Sequence, residues 1–530
     1  MSEAIQVGDL GLTAATKPRA AAGFGKLTNI QVLRAFAALS VALLHAASLL
    51  ESAHGDGRMV KLFNIHLGQY GVALFFAISG FLMAQLVRST DPRTFLLHRV
   101  LRIYPIFLIC SAIAFPALYY AGQARPFDWM GLLLAPVGQR FYVLGIEWTL
   151  LHEIVFYLGL FLLASAGLVR HLETLAFAWL AALAATSLSG SEAAISTVYP
   201  RLDTILLADA NVAFAAGLLI PAAIARGLLP ARLCLLAIPA SLAMVWGEVP
   251  AARWALGFAS VLIVAGLVQI RQMEVRGPAS LMLVRFGDWS YVLYLVHMPV
   301  IVLVIMLAPK AVPTIPLYVA AIAASLGVTA ALGPLDVGLY RRLRVLGDSL
   351  RGRWLTCFTW SFALAYVGVA ATVTVTAVRH ERDAAVARSG LATLPPGSLA
   401  DAATLSATID ASPGRAPTTF TGELERAYRL DNGRTLVNGW SVDLSNPTAV
   451  SHLAVVCGGK VVALARPQRF RPDIAAKLAR PELRKGRIGF QASFATQDCA
   501  EGSALIPVFL DARGGLLTTP PLAMPKATAR

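Results

Sequence analysis

Residues 28–50 read TNIQVLRAFAALSVALLHAASLL, and this stretch decides the class of the molecule. Its 23 residues hold two ionisable side chains, Arg34 and His45, in an otherwise apolar run. A helix crosses a bilayer with about 20 mostly apolar residues, so the run predicts a membrane span. Comparable runs follow at 69–87, 103–121, 145–169, 172–189, 204–225, 230–247, 253–270, 283–308, 314–336 and 355–378. Together they predict an all-α polytopic membrane domain of about 10–11 transmembrane helices over residues 27–380. A shorter apolar piece at 129–138, broken by Pro136 and Gly138, is too short to cross and is expected to be re-entrant or interfacial. The composition agrees: 57% of the 530 residues are hydrophobic and 14% are charged. A soluble domain carries about 25% charged residues, so a soluble enzyme is excluded.

Residues 1–26 contain Lys17, Arg19 and Lys26 and lack a short apolar core with a cleavage site, so a cytoplasmic tail is expected there. With the N-terminus inside, eighteen Lys and Arg fall on the inner segments and seven on the outer loops. Cytoplasmic loops carry such an excess. The net charge of +15 is therefore mostly topological and implies a lipid bilayer rather than a nucleic-acid partner. The five cysteines show no CxxC spacing, and no metal site is expected.

An odd number of spans puts the rest of the chain outside. Residues 381–430, rich in Ala, Thr, Ser, Pro and Gly, are expected to be a linker. Residues 431–530 change to short alternating runs at 435–444, 453–457, 461–465, 488–494 and 504–510, with Gly458-Gly459 as a hairpin signal. They predict a small extracytoplasmic β-sandwich-like domain. Cys457 and Cys499 both lie in it, where a disulfide could persist; the sequence leaves open whether their Cβ atoms meet.

Ionisable groups inside a span are costly and mark function by default. Arg34 and His45 are eleven residues apart, which returns to within about 20° of the same helix face, about 16 Å along the axis. Either alone has a plain reading, a snorkelling arginine or a satisfied core histidine; the shared face argues for a joint role. Glu153 enters its span about two turns from the outer side, at a depth expected to match His45, where it could orient a base. His152 points elsewhere on that helix. Arg99 and Arg102 share the face of an inner helix end, and cationic forks suit phosphates. Ser290, Tyr294 and His297 recur at i, i+4 and i+7 as a polar stripe on an apolar helix.

These residues occur in five ordered pieces. They are Arg34 with His45; Gly71-Val72, Phe75-Phe76 and Ile78-Ser79-Gly80-Phe81; Arg99-x-x-Arg102 with Tyr104-Pro105; Trp148-Thr149-Leu150 with Glu153, Phe156 and Tyr157; and Gly287-Asp288, Ser290-Tyr291, Tyr294-Leu295 and His297-x-Pro299. The set resembles acyltransferase family three, bacterial membrane O-acyltransferases of surface glycans, over residues 27–340. The resemblance implies His45 as general base or transient acyl carrier, with Arg34 supporting it or touching the acyl donor. It implies Arg99 and Arg102 as contacts for cytoplasmic acetyl-CoA or another acyl-CoA. Glu153, Trp148, Ser290, Tyr291, Tyr294 and His297 would line the site. The expected acceptor is a hydroxyl of an exopolysaccharide, lipopolysaccharide or other glycan at the outer face of the bacterial inner membrane. Thr149 and Trp289 depart from commoner versions, often Ser and a small or aliphatic residue respectively.

Some members of that family carry a fused hydrolase with a Gly-Asp-Ser-Leu nucleophile block. Here Gly347-Asp348-Ser349-Leu350 lies in a basic inner loop with no downstream Asp-x-x-His, so it is read as accidental. Asn438-Gly439-Trp440 and Phe470-Arg471-Pro472-Asp473 in the outer domain suggest either glycan positioning or a structural cap. The rival reading is a transporter or flippase using the intramembrane His, Arg and Glu as a pathway. Against it, the two halves show no internal repeat.

Overall fold

A computed structural model describes residues 27–122, 127–138, 142–195, 198–247, 251–309, 311–350, 352–392, 394–395, 397–411, 419–429, 434–445, 452–467, 469–485, 487–510 and 515–524. The expected tail at 1–26 lies outside them. The chain divides into one unit at 1–374 and a second at 375–530.

Among the described residues, nine helices are long and apolar enough to cross a membrane. They are α1 (Thr28–His54), α2 (Ile65–Ser89), α3 (Pro92–Tyr120), α4 (Trp148–Ser165), α5 (Leu172–Leu188), α6 (Ala252–Gln269), α7 (Ser290–Leu307), α8 (Thr314–Ser349) and α9 (Arg353–Ala392). The helical membrane class holds, with two fewer long helices than the eleven apolar stretches predict. Residues 204–225 instead form short pieces, including Val212–Gly217 and Ile220–Ala225. Residues 230–247 form Ala231–Leu235 and Ala237–Trp246.

The reason is local. Pro221, Pro230 and Pro239 cannot donate into a helix ladder, and Gly227 turns the chain at φ 70°. Buried Asn211 also donates its amide to the Ile205 carbonyl at 2.6 Å, which holds the entry irregular. At 129–138 the chain makes a short 3₁₀ turn, Trp129–Leu133, in keeping with a piece too short to cross.

Helix α1 is the hub of the membrane unit, packing on α2, α7, α8 and the short helix Pro278–Asp288. Small residues set these approaches. A Cβ at Gly71 would meet the Ala37 carbonyl at 2.6 Å, and one at Gly287 would meet the Gln31 backbone. A Cβ at Gly333 on α8 would run into the Trp289 indole. The unusual Trp289 therefore fills space that a glycine on the facing helix leaves open.

The second unit holds two antiparallel sheets. One has the order β1 (Phe420–Arg429), β2 (Arg434–Asp443), β6 (Arg487–Ala495), β5 (Arg469–Phe470). The other runs β4 (Lys460–Ala465), β3 (His452–Cys457), β7 (Ala504–Leu510), β8 (Leu516–Thr518), with β9 (Leu522–Ala523) also on β7. Phe420, Val437, Phe490 and Phe494 meet Leu453, Val455 and Phe509 in the core between them. Gly458 and Gly459 sit at φ 55° and 76°, the geometry of a two-residue hairpin turn between β3 and β4. Cys457 and Cys499 form a disulfide, with Cα atoms 5.7 Å apart.

The expected linker at 381–430 is ordered at both ends. Helix α9 continues to Ala392, and helix Ala402–Ala411 packs Leu405 and Ile409 against Val456, Ile506 and Val508. Strand β1 also falls within the expected linker, so the β domain starts at Phe420 rather than 431. The stretch misleads because Leu405 and Ile409, at i and i+4, supply an apolar edge within Ala/Thr-rich sequence. Residues 412–418 lie outside the described residues.

Arg471 forks onto Glu425 at 2.7 and 2.8 Å and onto Asp473 at 2.9 Å. These carboxylates hold its pKa above the usual arginine range, and the guanidinium holds that of Asp473 below the usual carboxylate range. The Phe470–Asp473 motif is thereby tied into the sandwich's own frame.

Candidate functional site

Most of the polar residues expected at the site gather into two clusters, both reached by α1. One is built of neutral rings and hydroxyls. His45 on α1 and His297 on α7 share a hydrogen bond, Nδ1 to Nε2, at 2.9 Å, with ring centroids 5.1 Å apart. His297 is fully buried, and its Nδ1 donates to the Leu293 carbonyl one turn earlier at 3.1 Å. The Tyr294 ring lies 5.7 Å from His297. Its hydroxyl accepts from Thr149 Oγ1 at 2.7 Å and donates to the Ile146 carbonyl at 3.2 Å, joining α7 to the start of α4. Buried Glu147 caps that loop, accepting from the Leu144 and Ile146 amides at 2.7 and 2.8 Å.

The other cluster is charged. Arg102 on α3 meets buried Asp336 on α8, with both carboxylate oxygens 2.8 Å from one guanidinium nitrogen. The Tyr291 and Tyr340 rings flank the guanidinium at 5.3 and 5.5 Å. Tyr291 is fixed in turn by donating to the Ile103 carbonyl at 3.1 Å. Arg99, one turn before Arg102, lies 5.9 Å from the Tyr157 ring, and its Nε is buried with no hydrogen-bond partner. Tyr157 donates to Glu153 at 3.3 Å. The Glu153 carboxylate lies in the field of Arg34, Arg99 and Arg102, and Arg34 also feels Asp288 and Asp336.

Two expectations change here. Glu153 does not stand beside His45: it joins the arginines, and His45 takes His297 as its partner. Glu153 lies one turn beyond Thr149, the residue that reaches the Tyr294 hydroxyl. Arg102 is also not a free phosphate fork, because Asp336 already occupies it. Asp336 is the member of the charged cluster that sequence reasoning missed. A lone carboxylate closing an apolar run was its signal, since such a group needs an internal cation.

The remaining expected residues fall into place around these clusters. Ser290 is buried at the start of α7 with its Oγ unpartnered. Trp148 stands edge-on to His152 at 5.9 Å. His152 itself points away from His45, its Nδ1 paired with Asn211 at 2.7 Å. The Gly347–Leu350 block lies at the end of α8. There Asp348 pairs with His98 at 2.8 Å, and Ser349 donates to the Leu346 carbonyl, so the block ties the end of α8 to α3. Among the described residues no group of three or more potential metal-ligating side chains occurs.

Comparison with known proteins bears on the same region. The model of an acyltransferase domain, family three, matches residues 27–333, more than half of the chain and all of both clusters except Asp336 and Tyr340. Nodulation protein 10 of Rhizobium leguminosarum bv. viciae is 36% identical over 100 residues, 18% of this chain. The match spans 27% of that protein's length. No solved structure matches the chain.

Proposed function

We propose that this chain, which belongs to acyltransferase family three, moves an acyl group, acetyl in the first instance, from cytoplasmic acyl-CoA to a glycan hydroxyl on the outer face of a bacterial inner membrane. The observation that carries the reading is the division of one helix between two chemistries. On α1, Arg34 belongs to a cationic cluster and His45 to a neutral one, about 16 Å apart along the axis. An acyl-CoA needs cations for its phosphates, and an acceptor hydroxyl needs a base. Arg99, with an unpartnered buried Nε, is the cation available to a phosphate, while Arg102 is held by Asp336 and shapes the wall.

At the other cluster His45 takes the proton as the hydroxyl oxygen bonds to the acyl carbon. The carbon–sulfur bond breaks, and the thiolate leaves with its electron pair and recovers the proton. In this reading the acyl group passes between the clusters along Trp148, Ser290, Tyr291 and Tyr294. The Cys457–Cys499 disulfide supports an oxidising location for the second unit, hence an outer acceptor side. The test uses inverted membrane vesicles given labelled acetyl-CoA. The parental protein should deposit label on the glycan fraction. A folded His45→Ala protein that labels glycan at the parental rate would overturn the reading.

A further inference from the structure

We infer that His297 is a positioning residue that fixes the tautomer of His45, leaving Nε2 of His45 as the nitrogen that receives the proton. The inference rests on the proposed acyl transfer for its consequence, but its geometry stands apart from it.

The chain of hydrogen bonds has one consistent direction. A backbone carbonyl only accepts, so the contact between His297 Nδ1 and the Leu293 carbonyl requires a proton on that Nδ1. In the neutral ring the other nitrogen, Nε2, is then an acceptor. The group facing it at 2.9 Å is His45 Nδ1, which must donate. His45 therefore carries its proton on Nδ1 and a lone pair on Nε2. The opposite arrangement would need a cationic His297, which at full burial would stand with no carboxylate hydrogen-bonded to it.

Two features hold the relay still. His297 and Leu293 share one helix, so the anchoring carbonyl cannot drift from the ring. Tyr294 packs against His297 and is itself held from both sides by Thr149 and Ile146. His45 keeps a small part of its surface open where His297 does not, so the His45 ring is the one that can meet an acceptor. When Nε2 takes the hydroxyl proton, the Nδ1–H already points at the His297 lone pair and no second transfer is needed. The new charge is stabilised without reorganisation.

The experiment is nitrogen-15 NMR of the full chain in lipid nanodiscs with labelled histidine, the His45 signals being identified by their loss in His45→Ala. The expected signature is a protonated Nδ1 and an unprotonated Nε2 for His45. In His297→Phe that signature should be lost and kcat for labelled acetyl-CoA should fall about 100-fold, with its KM within about twofold. His297→Gln places an amide oxygen near the lost Nε2 and should restore both the signature and activity to within about tenfold of the parent. A proton on His45 Nε2 in the parent, or a His297→Phe protein that keeps the parental kcat, would overturn the inference. A parental signature alongside an active His45→Ala protein would instead overturn the functional reading and leave the tautomer assignment standing.

Discussion

The two clusters on α1 solve the same problem in opposite ways. Both bury polar groups in a unit whose surroundings offer little water. The arginine cluster cancels charge with charge: Asp336 is 2% exposed and its only described hydrogen-bonding partner is Arg102. The histidine cluster avoids charge at rest, passing hydrogen bonds from Thr149 to Tyr294 to a carbonyl and from His45 to His297 to a carbonyl. A charged pair is stiff and fails badly when one member goes. A relay of neutral donors and acceptors costs little to hold and is ready to take a charge when one forms. The first suits holding a substrate that is charged throughout, and the second suits a reaction whose charge is transient.

Four single substitutions and one paired change test that contrast. His45→Ala should have the largest effect, a loss of about 10²–10⁴ in acyl transfer with little change in thermal stability, read from label on glycan and a melt in nanodiscs. Asp336→Ala should act on stability first, by about 3–5 kcal/mol, because it leaves Arg102 buried and unpaired. The paired change Asp336→Leu with Arg102→Met should recover most of that loss in a double-mutant cycle. If Asp336→Ala melts like the parent, the charged cluster is not a stiff element. Arg99→Gln should raise the KM for acetyl-CoA about tenfold and shift the melt only slightly, since its Nε has no hydrogen bond to lose and its contact with the Tyr157 ring is worth about 0.5–1 kcal/mol. The smallest effect belongs to Thr149→Val, which keeps the shape and removes one hydroxyl. A cost of about 0.5–1.5 kcal/mol is expected, and a larger one would mean that the neutral relay is less forgiving than the contrast implies.

Much of this was legible in the sequence, for physical reasons that can be named. Long apolar runs have few alternatives to a membrane helix, so all nine spans coincide with runs seen at the outset. The polar stripe Ser290, Tyr294, His297 was visible because helical spacing alone puts those residues on one face. Which residue His45 would meet was not visible, because depth counted from an apolar boundary is good to about one turn and Glu153 lies one turn from the residue that reaches α7. Residues 204–247 read as two spans because hydropathy does not register Asn211 bonding back onto Ile205. Strand β1 was hidden by its composition. FTGELERAYR places Glu423, Glu425 and Arg426 among its inward Phe420 and Leu424, and its register shifts between Leu424 and Arg426.

The Cys457–Cys499 bond closes a stretch of 42 residues. Beyond fastening the sandwich, it ties completion of the second unit to an event in the life of the chain. The two thiols leave the ribosome reduced, and an oxidant must reach them before the cross-link can add its stabilisation, about 2–4 kcal/mol for such loops. With the second unit on the outer side, as proposed, a copy inserted the other way round would keep both thiols in a reducing compartment and carry a weaker domain, exposed to proteolysis. In that orientation the bond would work as a certificate of delivery, separating correctly inserted copies from misplaced ones.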